Sequence, residues 1–124
     1  MTNREIDALI AKKVMGYEPS EFTHWPCGKA RSPNQLYWRK DGKLFMFDNL
    51  PHYSTDIAAA WQVVEKIKGK YRGVEIGYRL GGWFCQIEDG TSDIDERYIA
   101  QAEADTAPLS ICLAALKAVG VEPK

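Results

Sequence analysis

The sequence has no surplus of positive charge: 16 Lys and Arg stand against 17 Asp and Glu, a formal net charge of −1. A dedicated nucleic-acid binder gathers phosphates with a positive field, so that class is disfavoured. No stretch approaches the roughly 18 apolar residues of a membrane span. The opening Met1-Thr-Asn-Arg-Glu also lacks the basic head and apolar run of a secretory signal, so a cytoplasmic protein is expected. Cysteine is scarce and odd in number, and the spread of Cys27, Cys85 and Cys112 suits reduced thiols better than a disulfide framework. No repeat, low-complexity tract or Pro-rich or Ser-rich linker divides the chain, which predicts a single domain over residues 1–124. With 45% hydrophobic and 27% charged residues, the composition is that of a globular protein able to fold around one core.

Periodicity supplies the elements. Thr2 followed by Glu5 is a capping box, and Ile6, Leu9, Ile10 and Val14 share one helical face, with Arg4, Asp7, Lys12 and Lys13 at polar positions. Gly16 ends this helix near Met15. Residues 17–34 hold Pro19, Pro26, Gly28 and Pro33 without a sustained period and read as a long irregular connection. The apolar runs Leu36-Tyr-Trp and Leu44-Phe-Met-Phe flank Asp41-Gly42, a hairpin signal. Ser54, Thr55 and Asp56 offer caps for a second helix whose apolar arc is Ile57, Ala60, Trp61, Val64 and Ile67.

Val74, Ile76, Tyr78 and Leu80 then alternate with Glu75, Gly77 and Arg79 up to a turn at Gly81-Gly82. Trp83, Cys85 and Ile87 return on one face of the next strand. Residues 98–104 are rich in alanine and glutamate, which favour helix. Period two nevertheless places Tyr98, Ala100, Ala102 and Ala104 on one side and predicts a strand whose small face lets a helix approach closely. Asp105 or Thr106 caps a last helix with Leu109, Cys112, Leu113, Leu116 and Val119 on one face and further apolar residues around it, which makes it either central or paired with a second copy. The order predicts an α+β fold: a three-layer α/β/α sandwich with a mainly antiparallel sheet of four to five strands and three helices, helices lying on both faces.

Three segments, Val14-Met-Gly-Tyr, Tyr53-Ser-Thr-Asp-Ile-Ala-Ala-Ala-Trp61 and Thr106-Ala-Pro-Leu-Ser-Ile-Cys-Leu-Ala-Ala-Leu-Lys117, resemble the phage ABA-sandwich domain family over nearly the whole chain. The resemblance implies a helix, sheet, helix layering and a small bacteriophage or prophage protein working inside a bacterial host. It supplies no settled activity and no catalytic residues to carry over.

Chemical constellations are sparse. His24 and Cys27 have short spacing, and His52, Cys85 and Cys112 could converge on them, but structural zinc usually shows paired ligand clusters, so loop histidines and buried thiols are the plainer reading. A cysteine nucleophile lacks a local motif and an orienting acid. Asp89, Asp93, Asp95 and Glu96 lack the ligand ladder of a calcium loop and read as a solvated turn. No catalytic group, metal or cofactor is therefore assigned.

What remains points to binding. The helix starts at Ser54, Thr55 and Thr106 carry hydroxyls beside exposed amides, where ordinary capping competes with the capture of a phosphate or carboxylate. Tyr17, Phe22, Trp25, Tyr37, Trp38 and Tyr53 lie in or beside irregular segments, with Trp25 and Tyr53 the preferred exposed pair and Trp61 and Trp83 expected in the core. The first function class is a noncatalytic binder of a small nucleotide-like ligand, stacked on these rings and met by Arg72, Arg79 and Arg97. In a phage it would withdraw a host immune signal. The second is a module that docks on a host or phage protein through the aromatic loop or the last helix. A small enzyme ranks third, and self-association fits either of the first two.

Overall fold

The computed structural model describes residues 2–19, 37–40, 43–46, 50–71, 73–88 and 98–121. The first helix, α1 (Asn3–Lys13), starts where the capping box predicts: the Thr2 hydroxyl accepts the Glu5 amide at 3.2 Å and donates to the Glu5 carboxylate at 3.2 Å. Ile6, Ile10 and Ala11 are buried. Gly16, at φ 84°, turns the chain back so that the Tyr17 amide donates to the Ala11 carbonyl at 2.8 Å. Asp7, expected on the polar face, is instead fully buried, and its partners are described below.

Glu18–Pro19 (β1), Tyr37–Lys40 (β2) and Lys43–Met46 (β3) form one antiparallel sheet in the order β1-β2-β3. The expected hairpin is present, closed by Lys40 opposite Lys43, while Asp41 and Gly42 themselves lie outside the described residues. The short strand β1 falls in a segment read as irregular from its prolines. Pro19 is accommodated opposite Trp38 because β1 is an edge strand, where a missing amide donor breaks no second ladder.

The second helix, α2 (Ile57–Lys68), is capped by Asp56, whose carboxylate accepts the Ala58 amide at 3.0 Å. Its buried face is Ala59, Ala60, Val63, Val64 and Ile67. That face is rotated from the expected arc: Ile57 and Trp61 are 53% and 51% exposed, so Trp61 is not a core residue. Small and β-branched side chains let α2 lie close to the last helix, and the wide indole is left on its flank.

The second sheet has the order β4-β5-β6, all antiparallel, from Gly73–Arg79 (β4), Gly82–Glu88 (β5) and Tyr98–Ala104 (β6). The turn between β4 and β5 is Leu80-Gly81, one residue earlier than the paired glycines suggest. Leu80 and Gly81 have φ of 54° and 82°, the left-handed pair of a two-residue hairpin that matches strand twist. Gly82 is thereby drawn into β5 opposite Arg79. On the face away from the helices, the Phe84 ring lies across Gly77 so closely that a Cβ there would stand 2.6 Å from it. On the helix-facing side Cys85, Ile87, Ala100 and Ala102 are buried, as the alternation predicts.

The last helix, α3 (Ala107–Ala118), starts at Thr106, whose hydroxyl accepts the Leu109 amide at 3.4 Å. It packs against β5, β6, α2 and α1, and Ile111, Cys112, Ala114, Ala115 and Leu116 have no exposed surface. Of the two alternatives for this helix, it is central. Ser110, a polar residue in this apolar helix, is buried with its hydroxyl donating to the Ala107 carbonyl at 2.8 Å.

The fold is α+β with antiparallel sheets and, among the described residues, three helices. In place of the single sheet of four to five strands, the described residues form two sheets of three strands, because the first hairpin pairs with β1 and not with the central strands. Helices α2 and α3 cover one face of β4-β5-β6, and α1 stacks on α3.

Candidate functional site

Among the described residues, those nominated from the sequence do not share one site. Tyr53, expected to be exposed, is 1% exposed. Burial foremost, and then the neighbouring Tyr17, push its hydroxyl above the ordinary phenol range. Ser54 is buried as well: its amide donates to Asp7 at 2.8 Å and its hydroxyl to the Asn3 carbonyl at 3.1 Å. These contacts tie the 50–54 segment to α1, and burial keeps the Ser54 hydroxyl away from a ligand. Asp7 completes the tie by accepting from Arg4 at 2.8 Å, while Arg4 also donates to the Leu50 carbonyl at 3.3 Å and stands 3.2 Å from Nδ1 of His52. Thr55 is exposed, but the α2 N-terminus beside it is already occupied by the Asp56 carboxylate, which would repel an anion.

Arg79 is exposed on the sheet face away from the helices, its guanidinium 4.6 Å above the Phe84 ring. Trp25, Arg72 and Arg97 lie outside the described residues, as do Phe22, His24, Cys27 and the acidic cluster Asp89, Asp93, Asp95 and Glu96. Of Tyr37 only the backbone is described.

Cys85 and Cys112 are free, buried thiols. Burial pushes the Cys85 thiol up from 9.0 to about 12, and Cys112 is raised further by burial and by the charge of Asp7. A neutral thiol is neither nucleophile nor metal ligand. Both cysteines are therefore expected to resist iodoacetamide in the folded protein and to react fully after denaturation, as read by peptide mass mapping. The same shifts carry a sign. In the unfolded chain a thiol ionises near 9.0, whereas folded Cys85 stays protonated to about 12, so stability is intact below pH 9 and falls as pH rises through that window.

Thr106, nominated from the sequence, borders a concavity. A cleft of about 950 Å³ opens between α2, the helix-facing side of β4 and β5, and the start of α3. Ile57, Trp61, Val64 and Lys68 form its α2 wall, with Val74, Ile76 and Trp83 on the sheet and Asp105, Thr106 and Pro108 at its end. Tyr71 lines it too, held by a hydrogen bond from its hydroxyl to the Ala118 carbonyl at 3.2 Å. The cleft follows from the rotation of α2, which packs on α3 more than on β4 and leaves its Ile57 and Trp61 flank above an uncovered strip of sheet.

The polar complement of the cleft is small. At the α3 start, Pro108 has no amide and the Leu109 amide is taken by Thr106, so Ala107 carries the amide left for a ligand. Lys68 adds a positive charge, shared with Glu65 at 3.5 Å, and Asp105 adds a negative one. Sequence reading missed Trp61 as a site residue because its helical position matches a core period. The signal that could have found it is the neighbouring set Ala59, Ala60 and Val63, which offers an alternative buried face.

The phage ABA-sandwich domain model matches residues 8–116. The chain belongs to this family. Along its whole length the chain is also similar to a phage protein from Bacillus cereus ATCC 14579 known from a crystal structure, at 28% identity and a TM-score of 0.65 over 93% of that protein. No curated protein matches the chain. For this ABA-sandwich protein, no helix among the described residues is long and apolar enough to cross a membrane.

Proposed function

We propose that this phage protein is a noncatalytic binder whose helix-sheet cleft takes a small, planar, nucleotide-like ligand, and that it counters host defence by sequestering that ligand. The observation that carries the reading is the meeting of Trp61, Tyr71 and Trp83 in one cleft with Thr106 and Lys68 at its rim. Its volume of about 950 Å³ is near the upper end for small-molecule sites, which are mostly apolar with few polar groups. The rings stack on the planar part of the ligand, while Lys68 and the Ala107 amide meet its negative groups. With Asp105 nearby, a ligand of low charge suits the cleft better than a polyphosphate.

The half-exposure of Ile57 and Trp61 also favours a second reading, in which the cleft receives an apolar side chain of a host or phage protein. Thermal unfolding with a panel of mononucleotides and cyclic dinucleotides separates the two. A true ligand at about a hundredfold its Kd raises Tm by on the order of 5–10 °C. Trp61→Ala removes a half-exposed ring and is expected to abolish that rise while leaving the unliganded Tm within a few degrees. No shift with any nucleotide, together with a Trp61-dependent complex in pulldown, would reverse the order of the two readings.

A further inference from the structure

Among the described residues, nothing pairs with the outer edge of β4. Its sequence, Gly-Val-Glu-Ile-Gly-Tyr-Arg, has neither Pro nor Lys, its pairing with β5 runs without a bulge, and among the described residues no strand pairs on its other side. Natural sheets blunt such edges with these very devices. Beside the edge, Tyr78 is 61% exposed and Leu80 fully exposed.

The turn determines which backbone groups are free. A two-residue hairpin closes on a hydrogen-bonded pair, here Arg79 and Gly82, and such pairs alternate along an antiparallel ladder. Gly73, Glu75, Gly77 and Arg79 thus direct their backbone groups to β5, and Val74, Ile76 and Tyr78 direct theirs outward. Two copies of β4 can therefore pair antiparallel only in registers that set odd positions against odd ones.

Charge selects among these registers. With Gly77 on the two-fold axis, Glu75 faces the partner's Arg79 and Arg79 faces the partner's Glu75, in the closer, non-hydrogen-bonded type of pair. On the other face Ile76 meets the partner's Tyr78. Moving the axis to Ile76 or Tyr78 leaves neither charge opposite its complement, and moving it to Glu75 or Arg79 sets like charges together.

We infer that β4 is a self-association edge, pairing antiparallel with β4 of a second copy in the Gly77-centred register to join two three-stranded sheets into one of six strands. The contact is isologous, so each copy supplies both charges and the assembly closes as a dimer. It goes beyond the ligand reading and does not depend on it, although Val74 and Ile76 also line the cleft and bring the second copy beside it.

Sedimentation velocity over a concentration series of the full chain tests this. The wild type is expected to be dimeric, and Glu75→Arg, which leaves the Arg79–Phe84 contact alone, to weaken the dimer by roughly tenfold or more through two like-charge pairs. Arg79→Glu should do the same. The double variant Glu75→Arg/Arg79→Glu restores both opposed pairs and is expected to return the dimer to within about threefold of wild type. A monomeric wild type at every concentration, a dimer indifferent to both single reversals, or a double variant as weak as the singles would each overturn the assignment. Circular dichroism melts of all four proteins keep folding defects separate from dissociation.

Discussion

Asp7→Ala is expected to lower the unfolding free energy by about 3 kcal/mol, because it removes the acceptor from two buried or half-buried donors at once. The Asp7 carboxylate is fully buried and holds the Ser54 amide through one oxygen and Arg4 through the other, both at 2.8 Å. Without it the Ser54 amide has no acceptor in the same place, a loss of about 1–3 kcal/mol. Arg4, 28% exposed at its side chain, keeps the Leu50 carbonyl and some access to water, which moderates the remaining cost. Asp7→Asn retains an acceptor for Ser54 but not the charge, and should fall between wild type and alanine. Urea unfolding checks this through a lower midpoint at unchanged slope. A loss below about 1 kcal/mol would mean that the 50–54 segment detaches from α1 at little cost.

That cluster also shows where the sequence is legible and where it is not. Local signals suffice where the deciding contact is near in the chain: the Thr2 cap, the Gly16 terminus, the first hairpin and the Thr106 cap each rest on partners within a few residues. Asp7, Tyr53 and Ser54 depart from expectation because their surroundings are set by distant chain: Asp7 and Ser54 pair across 47 positions, and no spacing rule reports a carboxylate matched to a distant amide. The sequence places the turn one residue late because Gly81-Gly82 outweighs leucine as a turn signal, whereas strand register requires Gly82 inside β5. The α2 face departs from its apolar arc for a related reason. An indole adds weight to any apolar arc, but the neighbour it would have to face, α3, carries Ala114 and Ala115 and is approached by the small face of α2. That choice exposes Trp61 and creates the cleft, so the candidate site stands where the periodicity reading failed.

The strand reading of 98–104, made against helix propensity, yields the other large effect: Ala102→Leu is expected to cost about 3 kcal/mol. Ala100 and Ala102 are each 5% exposed, Ala102 lies opposite the buried Cys85, and α3 packs over this part of β5 and β6. Their methyl groups are what allow the helix to sit so near the sheet. A leucine there inserts three heavy atoms into a close-packed layer, and overpacking of this kind costs about 1–3 kcal/mol, with more where a whole helix must shift. The control is one residue away. Glu103 faces the opposite side of β6 and is exposed, so Glu103→Leu should change stability by no more than about 0.5 kcal/mol, even though it places the same residue in the same strand. Denaturant midpoints for the two variants decide the matter. A large loss at 102 with none at 103 establishes that the alternation of small and polar residues, not alanine's helix propensity, is what this segment encodes. Equal losses would mean that β6 tolerates no leucine on either face, and the close approach of α3 would not be the cause.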